Sequence, residues 1–255
     1  MGKLLEGKTA VITGASQGFG ETSAKLLAKH GAKVVITARR KDKLEEVAAQ
    51  IREAGGEALA VPGDVTVLDD CKNVLKTTVD QFGKIDILVN NAGMSNMYFI
   101  EHTTDEEYNK VIALNQTAIF YYCREAIGYM KKQGTGNIIN ISSVNALRPV
   151  AGFAYSVSKY AVIGMTKCIA YEFAGTGIRC NCLCPGVIKT EMSASVLEEG
   201  KNVDEDLMKL LPKRMDMSVP FSEQEEMASN VLYLASDLSI TLNGAVIEAD
   251  KGHYI

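Results

Sequence analysis

The chain has 255 residues, which suits one α/β domain with a full hydrophobic core, although two smaller domains would also fit this length. Hydrophobic residues make up 47% of the sequence, charged residues 23%, and the net charge is −4, so no nucleic-acid-binding surface of clustered Lys and Arg is expected. No apolar run approaches the roughly 20 residues of a membrane span, and the first residues, MGKLLEGKTAVIT, contain no signal-peptide core. These features predict a cytoplasmic protein with no nucleic-acid partner and no membrane partner.

Strand-like runs alternate with helical periods along most of the chain. The run TAVIT (9–13) is apolar and rich in strand-forming residues, and a Gly-rich turn follows it. The segment ETSAKLLAKH (21–30) predicts a helix that Gly31 ends, and KVVIT (33–37) predicts the next strand. In DKLEEVAAQIREA (42–54) the apolar residues recur at helical spacing. Further strands are expected at ALAV (58–61), IDILVN (85–90), NIINIS (137–142), IRCNCL (178–183) and 244–249.

Strands separated by helices imply a parallel sheet that is covered on both faces. We therefore predict an α/β fold with a doubly wound sheet, in a single domain over residues 1–255. The segment 190–221 departs from the pattern, since it is too long for an ordinary connection. It mixes apolar residues with acidic clusters at 198–199 and 204–206. It predicts a substrate lid of one or two short amphipathic helices, with the apolar side toward the pocket and the acidic side toward water.

Six cysteines are present, and three of them fall at alternate positions of one predicted strand: Cys180, Cys182 and Cys184. In an extended strand they share one face at intervals of roughly 6.6 Å. This spacing is unlike the CxxC pairs of structural zinc sites, and the three histidines lie far away in the sequence. The pattern predicts buried reduced thiols and no metal site.

A Gly-rich turn, TGASQGFG, follows the first predicted strand. Gly14, Gly18 and Gly20 give the spacing G-x-x-x-G-x-G between a strand and a helix. Such a turn lets backbone N–H groups and a helix N-terminus face a pyrophosphate. The turn therefore predicts dinucleotide binding.

The end of the second strand carries arginines where many dinucleotide-binding folds carry an acid. The sequence Thr37-Ala38-Arg39-Arg40 has no acidic residue until Asp42. A carboxylate accepts hydrogen bonds from the ribose 2′-hydroxyl of NAD, whereas a guanidinium binds the 2′-phosphate of NADP. A basic cluster at a helix start without this role is the alternative interpretation, but the helix dipole mildly disfavours it. The arginines favour NADP(H) as the cofactor.

The sequence YSVSK places Tyr155 and Lys159 four residues apart in a segment with helical character, so both side chains should lie on one helix face. A solvated surface pair is the plain interpretation. The alternative is a phenol whose proton is made available near neutral pH by an adjacent cation, because a free phenol has a pKa near 10. The pair by itself does not decide between the two.

Several motifs occur together in one order: TGASQGFG, PGDV (62–65), NNAG (90–93), Asn115, the ISS before YSVSK, and CPGVIKT (184–190). As an ordered set they resemble the short-chain dehydrogenase/reductase family over almost the whole chain. The resemblance implies a Rossmann-type sheet of about seven strands, a nicotinamide cofactor, a homotetramer and a Ser-Tyr-Lys-Asn active site. EADKG (248–252) departs from the VDGG that the family often has. Because the family often uses its C-terminal region in tetramer contacts, a dimer is kept as the alternative to the tetramer.

The resemblance also implies a role for each motif. Tyr155 would exchange a proton with the substrate oxygen, Lys159 would hold the nicotinamide ribose and lower the pKa of Tyr155, and Asn115 would anchor a water molecule. The expected cofactor-binding residues are Gly14, Ser16, Gln17, Gly18, Phe19, Gly20, Arg39, Arg40, Asp64, Val65, Asn91, Ala92, Gly93, Tyr155, Lys159, Pro185, Gly186, Ile188 and Thr190.

The position of the catalytic serine is open between two neighbours. Counting thirteen residues back from the tyrosine, as in most of the family, selects Ser142, whereas aligning the end of the strand selects Ser143. The alternation of a strand sends the two hydroxyls to opposite faces, so only one reaches the substrate. We select Ser143 as the catalytic residue.

The sequence therefore predicts an NADP(H)-dependent oxidoreductase that interconverts a secondary alcohol and a ketone. Flexible apolar side chains follow NNAG and recur in the lid, which suits a bulky apolar substrate such as a hydroxysteroid, although they would equally pack against the sheet. A 3-oxoacyl-thioester reductase and a non-catalytic NADP-binding protein are the alternatives. The apolar residues are Met94, Met97, Tyr98, Phe99, Met192, Met208, Met215 and Met217, and the cations considered for a thioester's phosphate are Lys201, Lys209, Lys213 and Arg214.

Overall fold

The protein is built around one parallel sheet of seven strands. A computed structural model of the chain describes residues 2–191, 193–194 and 203–254. The strand order is β3-β2-β1-β4-β5-β6-β7, and every neighbouring pair is parallel. The strands are β1 (Thr9–Thr13), β2 (Lys33–Thr37), β3 (Glu57–Ala60), β4 (Ile87–Asn90), β5 (Gly136–Ile141), β6 (Ile178–Pro185) and β7 (Val246–Ala249).

Helices connect successive strands and cover both faces of the sheet. They are α1 (Gly18–Lys29), α2 (Lys41–Glu53), α3 (Leu68–Phe82), α4 (Asp105–Ile112), α5 (Ala118–Gln133), α6 (Phe153–Glu172), α7 (Glu205–Arg214) and α8 (Gln224–Ala235). A π-helical turn, Ala113–Thr117, joins α4 to α5. None of the described helices is long and apolar enough to cross a bilayer. The predicted doubly wound α/β fold is confirmed.

Two hydrophobic cores lie on opposite faces of the sheet. On one face α1, α2 and α8 contribute buried residues such as Leu27, Leu44 and Val231. On the other face α3, α5 and α6 contribute buried residues such as Leu75 and Tyr122. Because apolar residues alternate between the two faces of every central strand, both cores are filled from the same short runs.

The three cysteines of β6 share one face of the strand, as predicted. Cys180, Cys182 and Cys184 are fully buried, and all three belong to the core beneath α3, α5 and α6. The Sγ atoms of Cys182 and Cys184 lie 3.9 Å apart, and both residues are free thiols. These side chains therefore act as packing residues in the core.

The expected lid, 190–221, is described only in part, because Met192 and residues 195–202 lie outside the described residues. In the described part, α7 supplies one of the expected short helices, with Leu207 buried and Glu205 exposed. Asp204 corrects the prediction that the acidic cluster faces water. Its side chain is buried because it accepts hydrogen bonds from the N–H groups of residues 206 and 207 and pairs with His102 at 2.6 Å.

Candidate active site

A cavity of about 1030 Å³ opens at the carboxyl ends of the strands, where doubly wound sheets bind ligands. It brings together residues from the turns after β1, β2, β4, β5 and β6, from α6 and from α7. Every residue expected to bind the cofactor lines this cavity, as does Ser143. Asn115 is the exception, because its side chain is fully buried behind the lining residues.

The glycine turn after β1 brings its backbone close to the turn after β4. Gly14 has a φ of +68°, and a Cβ there would lie 2.7 Å from Ala92 Cα, so no larger residue fits. Asn91 holds the two turns together, because its Nδ2 donates to the Thr13 carbonyl at 2.9 Å. The helix α1 begins at Gly18, and no side chain caps its first N–H groups. These groups and the positive end of the helix dipole are therefore suited to bind a phosphate.

Two arginines after β2 face the same cavity. Arg40 donates a hydrogen bond to Ser16 Oγ at 3.3 Å and another to Gln17 Oε1, which links it to the glycine turn. Arg39 lies near Asp64: burial acts to raise the pKa of that carboxyl, but hydrogen bonds from Thr66 and the charge of Arg39 bring it below its usual value. No acidic residue at the end of β2 lines the described cavity, and Asp42 lies outside it. The donor set fits a phosphorylated ribose better than a free 2′-hydroxyl.

Tyr155 and Lys159 lie one turn apart on α6, as their spacing predicts, and Lys159 Nζ lies 5.7 Å from the centroid of the Tyr155 ring. Lys159 is almost fully buried and donates to the carbonyl of Ile141 at 2.9 Å. Burial lowers the pKa of Lys159 to about 8, so it still carries its charge at neutral pH. The pair is therefore an ammonium held beside a phenol inside the cavity, and the interpretation as a solvated surface pair is wrong.

In the protein without a cofactor, the pKa of Tyr155 is raised above its ordinary value. The sequence-based expectation was that Lys159 would lower this pKa. Burial is the largest cause, and a hydrogen bond with Ser143 acts in the opposite direction without outweighing it. Tyr155 is therefore protonated at neutral pH, which is the form that donates a proton to a ketone oxygen.

Ser143 is held with its hydroxyl group within hydrogen-bond reach of the Tyr155 phenol. Its Oγ accepts hydrogen bonds from the backbone N and from Nδ2 of Asn145, at 3.2 and 3.1 Å. Because a serine oxygen has two acceptor positions, both are used and the O–H is left to donate toward the phenol. Asn145 is itself fixed, since its Oδ1 accepts from the N–H of Ala151 at 2.7 Å.

Ser142 points to the other side of the strand end. Its Oγ donates to the backbone carbonyl of Lys159 at 2.8 Å, inside the protein. Both serines are buried and both line the cavity, but the Ser142 hydroxyl is bonded to α6, whereas the Ser143 hydroxyl reaches Tyr155. The geometry therefore favours Ser143 over Ser142 as the serine that contacts a substrate.

Asn115 lies in the π-helical turn between α4 and α5. Its Nδ2 donates to the Met94 carbonyl and its Oδ1 accepts from the Met94 N–H, both at 2.9 Å. It also donates to Ser158 Oγ on α6 at 3.1 Å. In the structure Asn115 thus fixes the turn that follows NNAG and joins it to the helix that carries Tyr155. π-turns of this kind are frequent at functional sites.

An apolar wall closes one side of the cavity, and sequence reasoning found only its two residues from the predicted lid, Leu211 and Met215. Its six residues form a small cluster separate from the two cores of the sheet. They come from the segment after β5, the segment after β6, α7 with the residue that follows it, and the turn after β7, so no local pattern connects all six. The apolar wall consists of Val144, Val150, Val187, Leu211, Met215 and Tyr254, and all six line the cavity.

The methionine prediction is met for five residues: Met94, Met97, Met208, Met215 and Met217 line the cavity. Tyr98 and Phe99 do not belong to the described lining, and Met192 lies outside the described residues. Among the cations considered for a thioester's phosphate, Lys209, Lys213 and Arg214 are absent from the described lining. Lys201 lies outside the described residues.

Comparison with known proteins gives the family. Residues 8–201 match the family described as short chain dehydrogenase. The chain belongs to this family. The short-chain dehydrogenase match therefore covers the glycine turn, the Tyr155–Lys159 helix and β6.

The relatives in this family differ in what they act on. A 2,5-dichloro-2,5-cyclohexadiene-1,4-diol dehydrogenase of Sphingobium indicum is 38% identical, with 99% of this chain and 98% of that protein covered. A 3-oxoacyl-[acyl-carrier-protein] reductase of Thermotoga maritima is 35% identical, with 97% of this chain and 98% of that protein covered. Both matches cover nearly the full length of this chain and of the relative, and both relatives are named for oxidoreductase reactions.

Two solved structures of similar proteins carry different cofactors. An NAD(P)-dependent gluconate 5-dehydrogenase of Beutenbergia cavernae, with NADP bound at low occupancy, has a TM-score of 0.87 and 32% identity, and 97% of each chain is covered. A 3-ketoacyl-(acyl-carrier-protein) reductase of Brucella melitensis, in complex with NADH, also has a TM-score of 0.87 and 32% identity, with 98% of this chain and 100% of that chain covered. This chain is thus an oxidoreductase of a family that uses nicotinamide cofactors.

Proposed function

We propose that this protein is an NADP(H)-dependent oxidoreductase that interconverts an apolar alicyclic ketone and its secondary alcohol. A hydroxysteroid is one member of that substrate class. The observation that carries the proposal is the combination of a protonated Tyr155 with the apolar wall in one cavity. The protonated Tyr155 supports the reduction of a ketone, and the apolar wall supports an apolar substrate.

The chain's own residues supply the proton and the polarisation of the carbonyl. Bound NADPH supplies the hydride. Tyr155 gives its phenolic proton to the ketone oxygen, and Ser143 donates a hydrogen bond to the same oxygen, so the carbonyl gains one hydride and one proton and becomes a secondary alcohol. The ammonium of Lys159 stabilises the tyrosinate that remains, because it is buried beside Tyr155 and an opposite charge nearby favours the ionised phenol.

The cofactor proposal rests on Arg39 and Arg40. Two guanidinium groups at the end of β2, without an acidic residue in the lining there, suit the 2′-phosphate of NADP. Arg40 is already oriented by Ser16 and Gln17, which places one cation at the glycine turn. The similar structure with bound NADP agrees with this choice, and the similar structure with NADH is the reason to test it.

The substrate proposal rests on the apolar wall and the five lining methionines. Unbranched thioethers adapt to the irregular surface of a bulky apolar molecule, and burying that surface contributes about 25 cal/mol per Å². The Sphingobium relative, whose name describes a ring diol, supports a ring-shaped substrate. A sugar would need more polar groups in the pocket than this wall offers.

A 3-oxoacyl thioester is the rival substrate, since two of the similar proteins are named for that reaction. The described lining disfavours it, because the lysines and the arginine of α7 that were considered for its phosphate do not face the cavity. A protein that binds NADP without turnover is the rival from another class. It is disfavoured because Ser143, Tyr155 and Lys159 are all present and in contact range.

One substrate panel separates these proposals. Purified protein is assayed with NADPH and with NADH against bulky alicyclic ketones, 3-oxoacyl thioesters and keto sugars. The proposal expects the highest kcat/KM for an alicyclic ketone with NADPH. A preference for the thioester or the sugar would refute the proposed substrate class. NADPH binding without turnover of any ketone would indicate a non-catalytic binding protein.

We further propose a homotetramer, with a dimer as the alternative. Exposed aromatic side chains on α5 and α6 support an interface there: Phe120 and Tyr160 are 46% exposed and Tyr171 is 87% exposed. Light scattering of the purified protein tests the assembly.

We also propose that residues 1–255 form one domain, with 190–221 as its substrate lid. We propose a location in the cytoplasm, where the free thiols of this chain would stay reduced.

A further inference from the structure

Tyr254 is held in the cavity by a short turn that follows β7. In this turn, residues 250–254, the carboxylate of Asp250 accepts from the N–H groups of Gly252 and Tyr254, at 2.9 and 3.1 Å. Lys251 adopts a φ of +59° and its Nζ lies 2.6 Å from Glu226 Oε2 on α8. The turn is therefore fixed by hydrogen bonds at its centre and by an ion pair to the core helix.

Aromatic packing sets the direction of the Tyr254 side chain. His253 packs against Phe221 and against Tyr254, with ring centroids 5.4 and 5.7 Å apart. Tyr254 is 4% exposed and packs with Val144 and Val150 in the apolar wall. Its ring is thus part of the wall that faces Tyr155.

The hydroxyl of Tyr254 is a polar group without a protein partner in this wall. No hydrogen bond joins Tyr254 Oη to any residue in the described part of the chain, although the backbone N–H of Tyr254 is bonded. Within the described residues, Tyr254 Oη is not one of the fully enclosed polar atoms that lack a partner, so it opens into the cavity, where a ligand can reach it. Burial raises the pKa of Tyr254, with the nearby Tyr155 as a second cause, so the hydroxyl keeps its proton and can donate.

The reacting oxygen of the substrate cannot satisfy this hydroxyl as well. A carbonyl oxygen has two acceptor positions, and Tyr155 and Ser143 are arranged to donate to both. Tyr254 makes no hydrogen bond with either of them in the described structure. Its hydroxyl is therefore left to donate to another group of a ligand in the cavity.

We propose that Tyr254 is a specificity residue that binds a second oxygen of the substrate, so that the preferred substrate is an apolar ring carrying a hydroxyl or oxo group in addition to the reacting carbonyl. This inference rests on the proposed function and narrows its substrate class. A ring with no second oxygen fits the apolar wall but leaves the Tyr254 hydroxyl unpaired. A site built to bind a substrate oxygen discriminates against analogues that lack it for this reason.

The test uses pairs of ring ketones that differ at one position. The 3- and 4-hydroxycyclohexanones are compared with the 3- and 4-methylcyclohexanones, which have nearly the same shape. The readout is the ratio of kcat/KM for the hydroxy ketone to that for the methyl ketone, measured in wild type, Tyr254→Phe and Tyr233→Phe. Tyr233 is a half-exposed tyrosine of α8 that does not line the described cavity, so its variant loses the same atom without touching the wall.

For at least one ring position, Tyr254→Phe should lower the ratio by about three- to tenfold, which is what one neutral hydrogen bond contributes. Tyr233→Phe should leave the ratio at its wild-type value. The NADPH affinity and the melting temperature of both variants are measured to check that the fold and the cofactor site are intact.

Three outcomes overturn the inference. An unchanged ratio in Tyr254→Phe at both ring positions removes Tyr254 from substrate recognition while the proposed function stands. An equal loss of kcat/KM for both members of each pair makes Tyr254 a structural residue of the wall. If the wild type reduces none of these four ketones with either cofactor, the inference fails, and the substrate panel with bulkier alicyclic ketones decides whether the proposed function fails with it.

Discussion

The two adjacent serines at the end of β5 provide a matched pair of variants. Ser143→Ala removes the hydroxyl that hydrogen-bonds to Tyr155, and Ser142→Ala removes the one that donates to the Lys159 carbonyl at 2.8 Å. Both residues are almost fully buried, so the two variants delete the same atom in similar surroundings. Of the two deleted atoms, the Ser143 hydroxyl is the one that is hydrogen-bonded to Tyr155, the proposed proton donor.

The expected effect on stability is similar for both variants. Ser142→Ala loses one neutral buried hydrogen bond, worth about 1 kcal/mol, which lowers the melting temperature by about 2–4 °C. Ser143→Ala leaves two donors of Asn145 without their acceptor, at a cost of about 1–3 kcal/mol. Melting curves should therefore show two folded variants, each somewhat less stable than wild type.

The expected effect on rate differs sharply. Ser143→Ala removes a donor to the ketone oxygen where charge develops, so kcat should fall by about 10²–10³-fold, the equivalent of about 2.7–4 kcal/mol. Ser142→Ala should retain kcat within a few fold of wild type, because the hydroxyl of Ser142 donates to the backbone of α6 and not to Tyr155. The assay is steady-state ketone reduction with saturating NADPH, and a larger loss in Ser142→Ala than in Ser143→Ala would refute the reasoning.

Three further predictions concern charged groups. Arg39→Asp should raise the KM for NADPH by about tenfold or more, with NADH affected little, because a charge-assisted contact is worth about 1.5–3 kcal/mol; equal effects on both cofactors in initial-rate kinetics would contradict this. Burial lowers the pKa of Lys159 from 10.5 to about 8, so between pH 8 and 10.5 the unfolded chain binds more protons than the folded chain, and the free energy of unfolding rises with pH. In urea titrations over this pH range, the free energy of unfolding of Lys159→Met should rise by about 3 kcal/mol less than that of wild type. Parallel curves for the two proteins would refute the assignment. The hydrogen bond to Asp204 raises the pKa of His102, so this link to α7 is fully present below the ordinary His pKa and is lost as the pH rises through the raised pKa. Amide hydrogen exchange in α7 should therefore become faster over that pH range in wild type. An increase of equal size in Asp204→Asn would contradict this prediction.

Short-range patterns predicted the sheet well, because the burial of a strand is written in consecutive residues. The runs at 9–13 and 33–37 coincide with β1 and β2. The helix after the glycine turn begins at Gly18 and not at 21, since the last two glycines of the turn form its first helical turn. Spacing also placed Tyr155 and Lys159 correctly, because both lie on a single helix.

Features that depend on distant contacts were beyond the sequence. Ser142 and Ser143 look alike locally, and the hydrogen bonds of Asn145 and of the Lys159 carbonyl distinguish them. Tyr254 has no local signal at all, since it reaches the cavity only through the turn after β7. Asp204 was expected in water with its acidic neighbours, but a helix start and His102 enclose it.

The central claim is that Tyr155 donates the proton in an NADPH-dependent reduction of an alicyclic ketone. The most direct measurement is the loss of NADPH absorbance with such a ketone, in wild type and in Tyr155→Phe, with alcohol product and NADPH affinity measured alongside. We expect one alcohol per NADPH in wild type, and in Tyr155→Phe a kcat lower by about 10²–10⁴-fold with NADPH binding largely retained. Substantial turnover in Tyr155→Phe, or no reduction of any alicyclic ketone by wild type, would contradict the account.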